Sequence, residues 1–134
     1  MPKEALARAR VREIMALISN DIQPVGNLRV LNQMAAHVVG GAEEKAAAKA
    51  EWLKHFITFG FEALEQLLQK SAGRYAVGDA VTLADAFLVP QVFNAVRWKV
   101  DMEKFPIISR VNAALLALPE VAAAAPSKQV DAEE

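Results

Sequence analysis

The sequence contains no cysteine, which excludes disulfide bonds, thiol nucleophiles and metal sites built from thiolates. Histidine is almost as scarce. Only His37 and His55 occur, on different predicted helices and without HxxxH or HExxH spacing, so we expect no metal site. A glycine-rich phosphate loop is also missing, because Gly40-Gly41 follows a predicted helix rather than a strand.

The chain also lacks an excess of charge of one sign and a long apolar run. Its formal net charge is −1, which gives no electrostatic case for binding nucleic acid or an anionic lipid surface. Although 54% of its residues are hydrophobic, no run of about 18 apolar residues is free of charge, so we expect no membrane insertion. The N-terminus has no apolar signal-peptide core, and Glu4 and Glu13 argue against an organellar transit peptide. We expect one soluble domain, cytoplasmic or organellar.

The sequence does contain helical periodicity along most of its length. In the first 40 residues apolar positions recur at the helical period, which predicts one long helix, bent or broken near Gln23-Pro24 and ending before Gly40-Gly41. A second helix is predicted from there to about Ser71, with Gly60 inside it where another helix packs closely. Pro106 is predicted to begin a later helix. No stretch alternates with period two, so the fold class is all-α, with four or five helices.

The segment from about residue 82 to 97 is predicted to be the central helix. Thr82 and Asp85 have the spacing of a capping box, in which each side chain bonds the other residue's backbone N–H. The residues that follow are apolar on nearly every side, which predicts a helix buried all round. Pro90 is expected to bend it. Asp85 also resembles a buried catalytic carboxylate, but a structural capping role is favoured.

Arg97, at the end of this helix, has two interpretations. Its guanidinium could clamp a ligand carboxylate bidentately, or it could satisfy the last carbonyl groups of the helix. The residues alone favour the second. Trp52 and Trp98 are likewise more typical of core packing than of an aromatic ligand wall.

Four segments together resemble a known family: IQPVGNLRVL, YAVGDAVTLAD, VPQVFNAVRWKVD and APSKQVD. They resemble the C-terminal helical domain of zeta-class glutathione transferases, the maleylacetoacetate isomerases, and the resemblance covers almost the whole chain. It implies a glutathione transferase C-terminal-like helical bundle over residues 1–125, with a loosely ordered tail at 126–134. We interpret residues 40–50 as an insertion within the domain.

The resemblance also assigns roles to individual residues. It implies that Arg97 binds the substrate carboxylate and that Thr82 and Asp85 keep their structural capping role. The residues implied to bind glutathione are Gln23, Asn27, Leu28 and Arg29. No catalytic residue is expected within this chain.

The family carries its glutathione-activating Ser-Ser-Cys segment on an N-terminal thioredoxin-like domain, which we expect to be absent here. The resemblance therefore implies the helical half of a glutathione-dependent cis-trans isomerase of a dicarboxylate, inactive alone and using glutathione only if that domain is supplied. The alternative is a non-catalytic interaction or scaffolding subunit of a larger protein assembly. In either case we expect a protein partner: the missing domain, a homodimer mate or a larger complex.

Overall fold

A computed structural model describes residues 1–132, and this part of the chain is helical and contains no β-strand. A π-helical segment, Leu17–Ile22, follows the first helix, and short 3-10 turns lie at Met102–Lys104 and Pro126–Lys128. The α-helices are α1 (Ala5–Ala16), α2 (Gln23–Val25), α3 (Leu28–Ala36), α4 (Ala42–Ser71), α5 (Leu83–Arg97), α6 (Pro106–Leu116) and α7 (Pro119–Ala123). The all-α prediction is confirmed.

The break in the first predicted helix lies after Pro24 rather than at it. The chain stays helical through α2 and turns at Gly26-Asn27, and the helix that follows ends at Ala36. Asn27 has extended backbone geometry, and its side-chain oxygen accepts the N–H of Arg29 at 3.1 Å. The bend or break expected near Gln23-Pro24 therefore lies within a few residues of that position, and the polar N-cap Asn27 begins the next helix.

The π-helical segment explains how the helix passes Pro24. Proline has no N–H, so it cannot bond the carbonyl of Asn20 four residues before it. The preceding backbone N–H, that of Gln23, instead donates to the carbonyl of Ile18, five residues back. The backbone therefore widens over Leu17–Ile22 instead of breaking.

The long helix α4 packs directly on this widened segment. A Cβ added at Gly60 would collide with the side chain of Ile22, so the close packing expected at Gly60 is present. At the start of α4 the backbone N–H of Gly41 donates to Glu44 at 2.7 Å, which caps the helix. Residues 42–50, within the predicted insertion, form the first turns of this helix.

Helix α5 lies at the centre of the bundle and contacts α1, α4, α6 and the π-helical segment. A second buried tie joins α4 to α6: the Glu65 carboxylate accepts the N–H groups of Ile107 at 2.7 Å and Ile108 at 3.0 Å. The first N–H groups of α6 have no partner within the helix, and its N-cap residue Phe105 has no side-chain acceptor for them, so Glu65 caps them from α4. Nothing in the sequence pattern pointed to Glu65, because it lies 42 residues before the first group that it caps.

The expectation that α5 is buried all round is wrong for one side. Its buried side carries Ala84, Asp85, Leu88, Gln91, Val92 and Ala95. The opposite side is exposed, and we call it the α5 face: Leu83, Ala86, Pro90, Phe93 and Val96. An all-apolar sequence predicts that every side is covered, but the other helices of residues 1–132 cover only one side.

Candidate functional site

Arg97 occupies the last position of α5 and is exposed to solvent. The carbonyl groups at the end of this helix are satisfied by backbone, since Val100 N–H donates to Ala95 at 2.9 Å and Lys99 N–H to Val96 at 3.0 Å. Within residues 1–132 no hydrogen bond or ion pair involves the Arg97 side chain. The interpretation that Arg97 satisfies the last carbonyls is therefore not supported by the geometry.

The Arg97 guanidinium instead lies against an aromatic ring. Its Cζ atom is 5.5 Å from the ring centroid of Trp98, a cation–π distance, and Trp98 is half-buried. This contact restrains a long side chain without using its N–H groups in a hydrogen bond. Arg97 can therefore donate to a ligand carboxylate.

The α5 face leads directly to Arg97. Its residues follow one another at intervals of three or four, the spacing that places side chains on one side of a helix. Phe93 and Val96 are 56% and 61% exposed, which is unusual for large apolar side chains in the middle of a domain. The arrangement is an uncharged apolar strip with one cation at its C-terminal end.

The other sequence-predicted site residues lie together in the turn that joins α2 to α3. Gln23, Asn27, Leu28 and Arg29 are all exposed, with Leu28 at 68%. Two contacts hold this turn against α4. The indole N–H of Trp52 donates to the carbonyl of Val25 at 2.9 Å, and a Cβ at Gly26 would lie 2.9 Å from Leu53.

A groove of about 640 Å³ begins at this turn and runs between α3 and α4. Arg29, Gln33 and His37 line it on the polar side, and Gln33 Nε2 lies 3.3 Å from His37 Nε2. Gln33 and His37 were not predicted as site residues, because neither belongs to a motif. A second cavity, of about 540 Å³, lies where α1, the end of α4 and the connector before α5 meet.

The turn at Gln23–Arg29 and Arg97 belong to different elements, the junction of α2 and α3 and the end of α5. No hydrogen bond or ion pair between them occurs within residues 1–132. The connection is through packing, since α5 contacts the π-helical segment that leads into Gln23. The two groups could meet one ligand only if it extended between them.

Asp85 has the geometry of a structural residue. It is 1% exposed, and one carboxylate oxygen accepts the N–H of Thr82 at 2.7 Å and its hydroxyl at 2.9 Å. The other oxygen accepts the N–H of Ala76 at 2.8 Å. The Thr82 hydroxyl oxygen also accepts the N–H of Ala84 at 3.2 Å. Because these bonds occupy both oxygens inside the protein, Asp85 fixes the connector onto α5 and does not face a cavity.

The described part of the chain has neither a metal-binding group of side chains nor a membrane-spanning helix. Residues 1–132 hold no group of three or more His, Asp or Glu side chains that could bind a metal ion. None of their helices is both long and apolar enough to cross a membrane. At exposed Glu4 the pKa is lowered by the N–H groups of Ala7 and Leu6 that it caps.

Comparison with known proteins identifies relatives over nearly the whole chain. Residues 30–127 match the family model described as glutathione S-transferase, C-terminal domain. The chain is 47% identical to maleylacetoacetate isomerase of Dictyostelium discoideum over 133 residues, which is 99% of this chain and 58% of the relative. It therefore spans little more than half the length of that protein.

Solved structures give the same result. The maleylacetoacetate isomerase of Anaeromyxobacter dehalogenans, determined with GSH bound in its active site, matches with a TM-score of 0.90 and 39% identity, over 99% of this chain and 58% of that one. A bacterial maleyl pyruvate isomerase of the zeta class matches with a TM-score of 0.88 and 40% identity, over 99% and 62% of the two chains. The chain thus belongs to the glutathione S-transferase C-terminal domain family, and its relatives there are zeta-class transferases and maleylacetoacetate isomerases.

Proposed function

We propose that this chain is the helical half of a zeta-class glutathione transferase that catalyses glutathione-dependent cis-trans isomerisation of a dicarboxylate, as maleylacetoacetate isomerases do. The observation that carries the proposal is the identity of 47% over 99% of the chain with one such isomerase. The exposed Arg97 beside an apolar strip supports it, because a dicarboxylate with a carbon skeleton needs both a cation and an apolar surface.

Arg97 is the residue proposed to bind the substrate. The guanidinium is planar and can donate two parallel hydrogen bonds to one carboxylate, which fixes both the position and the orientation of the substrate. Trp98 holds the guanidinium at the end of α5 and limits the conformational entropy lost on binding. Arg97 would therefore act by positioning rather than by transferring a proton.

The turn from Gln23 to Arg29 is proposed to contact glutathione. Its exposed side chains provide an amide, a guanidinium and an apolar group, which suits a tripeptide with two carboxylates. The contacts with Trp52 and Leu53 hold the turn in place before a ligand arrives. Bound glutathione would supply a thiolate that adds reversibly to the substrate double bond and so permits rotation about it.

We further propose that the 134 residues alone do not catalyse the reaction. The proposed site residues of this chain include amide, guanidinium and apolar groups but no group that activates a thiol. Positioning a substrate accelerates a reaction only when the reacting group is held as well. The remaining part of a zeta-class enzyme would have to supply the surface that binds and activates the thiol.

A chimaera tests the proposal. In the Dictyostelium isomerase, the matched portion is replaced by this chain, and maleylacetoacetate isomerisation is assayed with glutathione. We expect activity from the chimaera and none from the chain alone. Arg97→Ala should lower kcat/KM by roughly 10- to 100-fold, the value of a charge-assisted pair of hydrogen bonds. Arg12→Ala, an exposed arginine of α1, is the control and should change little.

The outcome that contradicts the proposal is a chimaera that folds, as judged by circular dichroism, but has no activity. That result would favour the second candidate function, a non-catalytic interaction or scaffolding subunit. Its support is the exposed apolar surface, since large exposed apolar areas mark interaction sites. Leu6, Phe59 and the α5 face contribute to that surface.

A further inference from the structure

We propose that Phe93 is a specificity-determining residue, which contacts the carbon skeleton of the substrate whose carboxylate Arg97 holds. The inference rests on the proposed function, because it takes Arg97 as the carboxylate-binding residue. It begins from an anomaly. Phe93 is 56% exposed on a helix whose other large aromatic, Phe87, is half-buried against the core.

The position of Phe93 relative to Arg97 carries the argument. The two residues are four apart on α5, so they lie on the same side of the helix, one turn from each other. The Arg97 guanidinium lies against Trp98 at the end of α5, and side chains on a helix are in general inclined towards its N-terminus, so a ligand bound by Arg97 can reach the turn that contains Phe93. A carboxylate held by Arg97 would therefore have the rest of its molecule near the Phe93 ring or directed away from the helix.

The surface differs in charge between the direction towards the N-terminus of α5 and the direction beyond its C-terminus. Towards the N-terminus the α5 face offers only apolar side chains, namely Val96, Phe93 and Pro90. Beyond the C-terminus of the helix the chain continues with Lys99 and Asp101, which are exposed and charged. Covering an apolar surface with the carbon skeleton between the two carboxylates is favourable, because it removes apolar area from water. Placing that skeleton beside charged groups is unfavourable, because it takes water away from the charges. Phe93 is the largest side chain that the skeleton can cover on the α5 face.

A contact of this kind predicts a particular kinetic signature. The Phe93 ring has no group that reacts with the thiol or the double bond, so its apolar contact with the substrate should be about equally strong before and during the reaction. Its loss should then weaken binding without slowing the chemical step. In the active chimaera we expect Phe93→Ala to raise KM for maleylacetoacetate roughly 10-fold, with kcat within about twofold, as for a lost apolar contact in a pocket.

Two further variants make the test specific. Phe93→Leu keeps an apolar side chain and should restore most of the lost affinity. Leu116→Ala removes an exposed apolar residue of α6, outside the α5 face, and should leave KM within about twofold of the unmodified chimaera. An unchanged KM in Phe93→Ala, or an equal rise in Leu116→Ala, would overturn the inference, as would a fall in kcat at constant KM.

Binding to the chain alone gives a readout that is independent of catalysis. Maleate, a simple dicarboxylate, is titrated into the labelled chain while the aromatic resonances of Phe93 are followed by NMR. We expect maleate to shift them in the unmodified chain and not in Arg97→Ala. Absence of any shift in the unmodified chain would count against the inference. An inactive chimaera, by contrast, contradicts the proposed function, so the two failures can be told apart.

Discussion

Among alanine substitutions of the carboxylate residues that cap helices or lie on the surface, Asp85→Ala should destabilise the chain most. The carboxylate is 1% exposed and accepts three hydrogen bonds, from the N–H of Ala76 and from the N–H and hydroxyl of Thr82. Its removal would leave the buried N–H of Ala76 without its partner and would remove half of the capping box. The connector and the start of α5 would lose their common anchor.

The magnitude follows from adding these losses. A buried donor left unsatisfied costs about 1–3 kcal/mol, and loss of a capping side chain costs about 1 kcal/mol. We therefore expect Asp85→Ala to lower the free energy of unfolding by about 3 kcal/mol. For a domain of this size that corresponds to a fall in Tm of roughly 10 °C. Asp85→Asn keeps the shape of the side chain but loses its charge, so its free energy of unfolding should lie between those of the unmodified chain and Asp85→Ala.

Urea unfolding followed by far-ultraviolet circular dichroism measures this difference. Asp79→Ala is the matched control, because the Asp79 carboxylate also accepts a backbone N–H in the same connector, that of Arg74 at 2.7 Å, but is exposed. Water can replace that bond, so its loss should cost no more than about 1 kcal/mol. If the two alanine variants lost equal stability, burial would not be the reason that Asp85 matters, and the reasoning above would be refuted.

Two backbone positions give further predictions by the same unfolding measurement. Gly73→Ala should lower the free energy of unfolding by about 2–3 kcal/mol, because the new Cβ would lie 2.8 Å from the carbonyl carbon and oxygen of Gly78, which cannot move aside. Gly78→Ala has open space around the new Cβ but φ +68°, so it should cost only about 1 kcal/mol. Equal losses in the two variants would contradict this. Lys99→Gly should stabilise the chain by about 0.5–1 kcal/mol, because Lys99 has φ 57°. Lys104→Gly should not stabilise it, and a stabilised Lys104→Gly would show that left-handed geometry is not the cause.

Local sequence signals predicted those parts of the fold whose partners are close in sequence. The start and end of α4 follow from glycine and helix propensity, and the Thr82–Asp85 box lies within a single helical turn. Glu65 could not be found in this way, because its partners are on another helix and only the fold brings them within 3.0 Å. The same holds for the bond from Asp85 to Ala76, nine residues apart across the connector.

The break after α2 shows a different limit. Proline disfavours helical geometry in the residue before it, which made Gln23-Pro24 the expected break. The helix instead continues through Pro24, because the preceding turn is a π-helix in which the N–H of Gln23 donates to the carbonyl of Ile18. The expected site residues of this turn were recognised only by resemblance to a family. Their side chains are ordinary polar groups at unremarkable spacing, so residue chemistry alone could not have singled them out.

The exposure of the α5 face is the feature of the fold that hydrophobic patterning predicts least well. A helix that is apolar on all sides can be enclosed by its own domain, or it can be covered on one side by something else, and the sequence is the same in both cases. In α5 the buried side is mostly apolar but contains Asp85 and Gln91, while the exposed side has no polar residue before Arg97. An exposed apolar strip has a cost in solubility, so its apolar character along the whole of α5 is explained by contact with a ligand or a further protein surface. The chain spans 58% of the Dictyostelium relative, and under the function proposed above the remainder of such an enzyme, together with its substrate, is what would provide that contact.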